Sequence, residues 1–375
     1  MTRTSHRTGT RGFALAVTVF ALVLIAALIA GVFFAARQET RLGENVQSAE
    51  RAFDAAEAGL HSALARWDPG AYDALPPGGA AAFSGLLEGG SGSYSGTVLR
   101  LNRRLFLVRS TGQDPSRESR RSLASLVRLM PESLTLNAAL TVTGELVVSG
   151  GTLVVGEDQQ PAGWDCPAAG RAVAGVAIRD ASRLSVAGCA DSSCIHGVPA
   201  VSIVPTLGDS AQQGAAGASW AALAAMATKF YEVGATASPS PVGTSTTCDT
   251  GAPDNWGSTP VPPDVSGCAR FYPVIYARGD LRVTGGTGQG ILLVAGDLEV
   301  EGGFTFLGPV VVRGKLTVAG GGGRFIGGIL ASSAVLQPAG TGSADIAFSS
   351  CALANTLLSK ARAVPLAERA WVELF

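Results

Sequence analysis

The chain has only three histidines in 375 residues, and His6, His61 and His196 are too scattered to form a metal triad. Charge is scarce as well. Charged side chains make up 15% of the sequence and the net charge is -1, so no basic field draws nucleic acid to it, and no nucleic-acid partner is expected. No P-loop occurs, because Gly285-Gly286 and Gly320 to Gly323 follow strands of a repeat without opening a helix. Asp280, Asp297 and Asp345 are the carboxylates to weigh as general acids or calcium ligands; at glycine-bearing corners such residues more often form turns. The expectation is a protein that is not an enzyme, with no catalytic residue, cofactor or metal. Aromatic residues are only 6% against 49 glycines, which predicts tight turns between short apolar strands rather than a helical bundle.

What is present begins with a long apolar run. Phe13 to Ala36 carries no charged side chain. At about 1.5 Å per residue it reaches roughly 36 Å, enough to cross a hydrocarbon core of about 30 Å. Arg3, Arg7 and Arg11 precede it without an acidic residue, which predicts a cytoplasmic N-terminus and a translocated remainder. The leader lacks a secretory cleavage pattern beyond the apolar core; the evident processing point is Gly12, on the cytoplasmic side. Past Arg37 the pattern stays helical: Val46, Ala49, Phe53, Ala56, Leu60, Ala63 and Trp67 form one stripe, with Glu50, Arg51, Asp54 and Glu57 between them. Asp68-Pro69-Gly70 stops it, so one helix is expected over about 13–67, on the order of 80 Å long.

The short basic leader ending in Gly12, Phe13 opening the run, the amphipathic continuation and the segment Ala52-Phe53-Asp54-Ala55-Ala56-Glu57-Ala58-Gly59-Leu60 together resemble the type IV pilin superfamily. Within it they are similar to the N-terminal region of the PilX-like minor pilins. The resemblance covers roughly Arg11 to Ala65. It implies a leader, 1–12, removed by prepilin peptidase between Gly12 and Phe13, methylation of Phe13, and assembly with other pilin or minor pilin subunits through a helix bearing Val17, Phe53, Glu57 and Leu60. Major pilins usually carry glutamate at the fifth residue after the cut, where this chain has Val17, a residue without cost in the bilayer. The implied role is therefore a minor subunit that primes or caps a fibre, anchored in inner-membrane lipid with its bulk in the periplasm or, in the fibre, outside the cell. The rival reading is a membrane-anchored β-solenoid adhesin or envelope-binding module outside any fibre.

The remainder reads as mainly β, giving an α+β chain overall. Residues 71–130 predict a small pilin-like antiparallel sheet: a Pro/Gly-rich connection to Gly90, then strands at Ser93 to Leu101, Leu105 to Gly112 and Arg120 to Leu129. Residues 134–350 predict a β-solenoid-like head. Gly279-Asp280-Leu281, Gly296-Asp297-Leu298 and Gly314-Lys315-Leu316 recur at steps of 17 and 18 residues, similar to bactofilin-type short β-helix repeats. An insertion, 205–267, interrupts the period with a possible amphipathic helix, Ala218 to Val233, and a Pro/Ser/Thr-rich loop expected to face outside partners. Residues 351–375 are expected to be a C-terminal tail. Cys166, Cys189, Cys194, Cys248, Cys268 and Cys351 all follow the apolar run; in an oxidising compartment they are disulfide candidates, their connectivity open among fifteen pairings. Cys189 and Cys194 beside His196 offer a metal corner as the less favoured alternative.

Overall fold

The computed structural model describes residues 11–72, 75–116, 118–131, 134–189, 194–208, 220–257, 266–367 and 371–374. A long helix, α1 (Arg11–Ala65), leads into a short one, α2 (Pro69–Tyr72). The break falls at Asp68, which precedes proline and accepts the Ala71 amide on Oδ1 at 3.1 Å. Four antiparallel strands follow: β1 (Ala80–Leu86), β2 (Ser93–Arg100), β3 (Leu105–Gln113) and β4 (Arg120–Met130). Asn102 makes the β2–β3 turn, its Oδ1 accepting the Arg104 and Leu105 amides at 2.9 Å. β1 lies within the stretch to Gly90 that the sequence marks as a connection. Its run of alanines lacks the β-branched residues that mark a strand, and it is made instead by pairing along all of β2, from Ala80↔Leu99 to Leu86↔Ser93.

Residues 129–363 form a second unit, whose described residues make a 17-stranded sheet in which the strands pair in parallel. The first run supplies β5 (Ala138–Val142), β6 (Leu146–Ser149), β7 (Thr152–Val155), β8 (Ala174–Ile178), β9 (Leu184–Ala187), β10 (Ile195–His196) and β11 (Val201–Ile203). After α3 (Trp220–Ala225) come β12 (Lys229–Tyr231) and β13 (Ala235–Ala237). The second run supplies β14 (Val274–Ala277), β15 (Leu281–Val283), β16 (Thr287–Gln289), β17 (Ile291–Val294), β18 (Leu298–Val300), β19 (Phe304–Val318), β20 (Gly322–Leu336) and β21 (Ser343–Phe348). Each winding of chain returns to lie beside the previous one. Leu281 pairs with Leu298, Leu298 with Leu316, Leu316 with Ala334, Ala334 with Leu146 and Leu146 with Leu184. This ladder is buried from Leu281 to Leu146, so every winding adds one more layer to a continuous aliphatic core.

The order of the windings is permuted. β20 and β21, at the end of the second run, pair with β5, β6 and β7, at the start of the first. The two ends of the stack are therefore β11 and β12, joined in sequence by 204–228, while the unit's own chain ends leave from its middle windings. Of the helix expected over Ala218 to Val233, Ala218 and Ser219 lie outside the described residues, and among those described the helix is α3. Lys229 to Tyr231 instead pair with Ile275 to Ala277, Phe230 and Tyr231 being residues that favour an extended strand.

Corners between windings explain the Gly-Asp-Leu repeat. Asp280 Oδ1 accepts the Asp297 amide at 2.8 Å, and Asp297 Oδ1 accepts the Lys315 amide at 2.7 Å. A Cβ at Gly296 or Gly314 would overlap that same carboxylate of the preceding winding, so glycine and aspartate serve one contact. Asp297→Ala is expected to cost about 1 kcal/mol, read as a small drop in unfolding temperature that Asp297→Asn largely restores.

Beyond α4 (Ser350–Leu358) the chain returns to the antiparallel sheet through β22 (Arg362–Pro365) and β23 (Trp371–Leu374). Trp371 to Leu374 pair with Ser125 to Ser122 of β4. Residues 351–375 are thus not a tail: a helix closes the second unit, and the last strands complete the first. The parallel unit is an insertion between β4 and β22.

Candidate functional site

Among the described residues α1 is the one helix long and apolar enough to cross a membrane, and none of its most apolar stretch is buried. Phe13, Leu22, Leu28, Phe33 and Phe34 are each more than 60% exposed. Thr18 Oγ1 donates to the Leu15 carbonyl at 2.9 Å, so this hydroxyl is satisfied within the helix. Gly12 and Phe13 lie in the first turn, and the leader upstream of Arg11 is outside the described residues. Val17 is exposed on the same surface.

The other half of α1 packs on the antiparallel sheet through its smallest side chains. Ala52, Ala55 and Ala56 are fully buried, and Leu60 and Ala63 nearly so. The facing strand β3 carries Gly112, where a Cβ would overlap the Ala52 carbonyl oxygen and the Ala56 amide nitrogen. Gly59 in turn sits on Ser110 and Tyr94, and Tyr94 donates its hydroxyl to Ser62 at 3.0 Å. Helix and sheet approach backbone to backbone, which only glycine and alanine allow. Of the stripe read from the sequence, Ala56, Leu60 and Ala63 lie in this seam, which is centred on Ala52, Ala55, Ala56 and Gly59, whereas Val46 is 57% exposed. The pattern was visible as an Ala-x-x-Ala-Ala-x-x-Gly spacing, but its partner Gly112 looks like any strand glycine.

The remaining residues of that segment lie at its margin. Phe53 is half-buried and meets Trp371 edge to face at 6.4 Å, so the last strand of the chain braces the helix. Glu57 is exposed, 3.8 Å from His61 one turn on. Leu60 belongs to the buried seam.

All six cysteines are paired: Cys166 with Cys351, Cys189 with Cys194, and Cys248 with Cys268. The Cys189–Cys194 bridge replaces the metal corner, since a disulfide leaves no thiolate ligand there. The loop that carries Cys248 is exposed over most of 242–254, but it is pinned at Asn255, Trp256 and Gly257, which are buried. Trp256 is fully buried, its Nε1 donating to the Tyr231 hydroxyl at 2.8 Å and its ring meeting Phe304 and Phe306 edge on. Lys229 donates from Nζ to the carbonyls of Thr250 and Ala252, and burial pulls its pKa down against the opposing pull of Asp249 and Asp254. Burial, and then the hydrogen bond to Asp254, raise the Tyr231 phenol. Asp280 and Asp297 are the turn formers just described, whereas Asp345 lies mid-strand in β21 on the outside of the sheet.

No family model and no curated protein matches the sequence. Among solved structures the chain is similar to the competence-associated pilin ComZ from Thermus thermophilus, at 10% identity and a TM-score of 0.25, over 87% of this chain and 97% of that one. Within this chain itself, a long N-terminal apolar helix is followed by a small antiparallel sheet and a large, mostly β unit that lies in sequence between two of that sheet's strands.

Proposed function

We propose that the chain is a non-enzymatic structural subunit of a type IV pilus-like or secretion fibre, a PilX-like minor pilin that primes or caps assembly. The observation that carries this reading is the division of α1 into two halves. One exposes an uninterrupted apolar surface, and the other is fastened to a sheet by a seam of small residues. A helix so apolar is stable in lipid or against other helices of its kind, and exchanging one for the other costs little, which is what insertion followed by extraction into a fibre requires. Val17 keeps the run free of charge in both surroundings. The wound parallel unit, read as a β-solenoid head, adds bulk that suits the end of a thin fibre better than every position along it. Its partners on this reading are prepilin peptidase, other pilin subunits along α1, and inner-membrane lipid. The N-terminus lies in the cytoplasm and the head in the periplasm or outside the cell.

Intact mass of the membrane-extracted protein, with and without co-expressed prepilin peptidase, tests it. The expected result is loss of residues 1–12 and one methyl group on Phe13, seen only with the peptidase. An uncut N-terminus in both samples overturns the fibre reading and leaves an anchored adhesin or envelope-binding module.

A further inference from the structure

A groove of about 400 Å³ lies on the outer side of the parallel sheet. Its floor is a ladder of aliphatic side chains on successive windings, Leu307↔Ile326↔Ala347↔Val155, spaced at the roughly 4.8 Å of neighbouring strands. Two residues back along the same strands runs a polar ladder, Thr305↔Arg324↔Asp345. The segment 159–162 also lines the groove. It is anchored where the Gln159 amide donates to the Phe348 carbonyl at 2.8 Å, where Asp158 Oδ1 accepts the Ser350 amide at 2.7 Å, and by the Cys166–Cys351 bridge.

Three features define what would fit. Arg324 and Asp345 are register partners, yet no ion pair within 4.0 Å joins them among the described residues. A donor-only fork and an acceptor-only carboxylate therefore stand side by side with no net charge. A ligand of one charge sign would meet one attractive and one repulsive partner, whereas neighbouring hydroxyls on a neutral ligand satisfy both, donating to Asp345 and accepting from Arg324. The strands beneath are bonded on both sides, so an extended peptide finds no free edge to join. The floor is flat and aliphatic, suited to a face of C–H groups. We propose that this groove binds a neutral saccharide, with Arg324, Asp345 and Thr305 reading its hydroxyls. This proposal is independent of the fibre reading.

The test uses the full chain in lipid nanodiscs, free of sugar-based detergents, titrated calorimetrically with cellotetraose, tetra-N-acetylchitotetraose and maltotetraose. At least one is expected to bind saturably, and equally at low and high salt because the ligand carries no charge. Arg324→Ala and Asp345→Ala are each expected to weaken binding about tenfold or more. Both side chains lie on the outer surface, so unfolding temperatures should not change. Arg282→Ala, outside the groove, should bind as the wild type does. Absence of binding by all three tetrasaccharides, binding that survives both substitutions, or binding that collapses with salt would each overturn the proposal. So would preferential uptake of an apolar hexapeptide offered to the same groove.

Discussion

Gly112→Val is expected to unfold the first unit. The atoms that a side chain would strike at this position, the Ala52 carbonyl oxygen and the Ala56 amide nitrogen, belong to the backbone of α1. No rotamer change can move them aside; the helix must lift from the sheet and give up the burial of Ala52, Ala55 and Ala56. Ordinary overpacking costs about 1–3 kcal/mol, and a clash with fixed backbone belongs above that range, at roughly 4 kcal/mol or more. For a unit of this size the unfolding temperature should fall by roughly 15 °C or more. At Gly59 the nearest obstacle is the Ser110 hydroxyl, a side chain able to turn away, so Gly59→Ala should cost less. Gly43→Ala is the control: no atom lies within 4 Å, and removing a mid-helix glycine should stabilise by about 0.5–1 kcal/mol. Circular dichroism melts of the full chain in micelles, with limited proteolysis to separate the two units, make the comparison. If Gly112→Val melts with the wild type, the close helix–sheet seam is wrong.

The second large effect is expected at Trp256. Its indole is buried whole against Phe304, Phe306 and Tyr231 near the β12 end of the stacked windings. Truncation removes the largest fully buried side chain of the unit and leaves the Tyr231 hydroxyl without the Trp256 Nε1 donor. The cavity alone places Trp256→Ala at about 3–5 kcal/mol, which for the larger unit is a drop of roughly 10 °C. The loop 238–257 would lose its anchor at the same time, and cleavage there by protease should rise. Phe230→Ala removes an aromatic ring from a side chain already 55% exposed and should shift the melt by only a few tenths of that amount. Equal effects at the two positions would mean that Trp256 is a surface residue and that the end of the stack is open.

These two sites also mark where reading the sequence reaches its limit. The helix was legible because a charge-free run and a proline stop are local signals, and β2, β3 and β4 because their alternation is local too. The 17- and 18-residue steps of the Gly-Asp-Leu repeat are written in the chain, and Leu281, Leu298 and Leu316 pair at those offsets. β1 was not legible, since Ala80 to Ala82 gain their extended form from β2 rather than from their own propensity. Trp256 sits in a Pro/Ser/Thr-rich stretch that looks like solvent-facing loop. What orders it is a disulfide, the carbonyls around Lys229 and contacts with residues some fifty positions downstream. Asp345 looked like another corner carboxylate, and register with Arg324 places it in the groove instead.

By itself the sequence determined the parts: an apolar helix with a small-residue continuation, short strands of fixed period, and cysteines confined to the region beyond the helix. Those properties depend on neighbours a few residues away, and hydrophobic periodicity records them directly. The tertiary structure alone decided how the parts join. It placed the first windings after the last and carried the C-terminal strands back to β4. It also chose Gly112 as the strand position that touches the helix backbone. Each of these is a contact between segments far apart in the chain, and each is selected by which apolar edge or close-packed surface remains unfilled once the local elements exist.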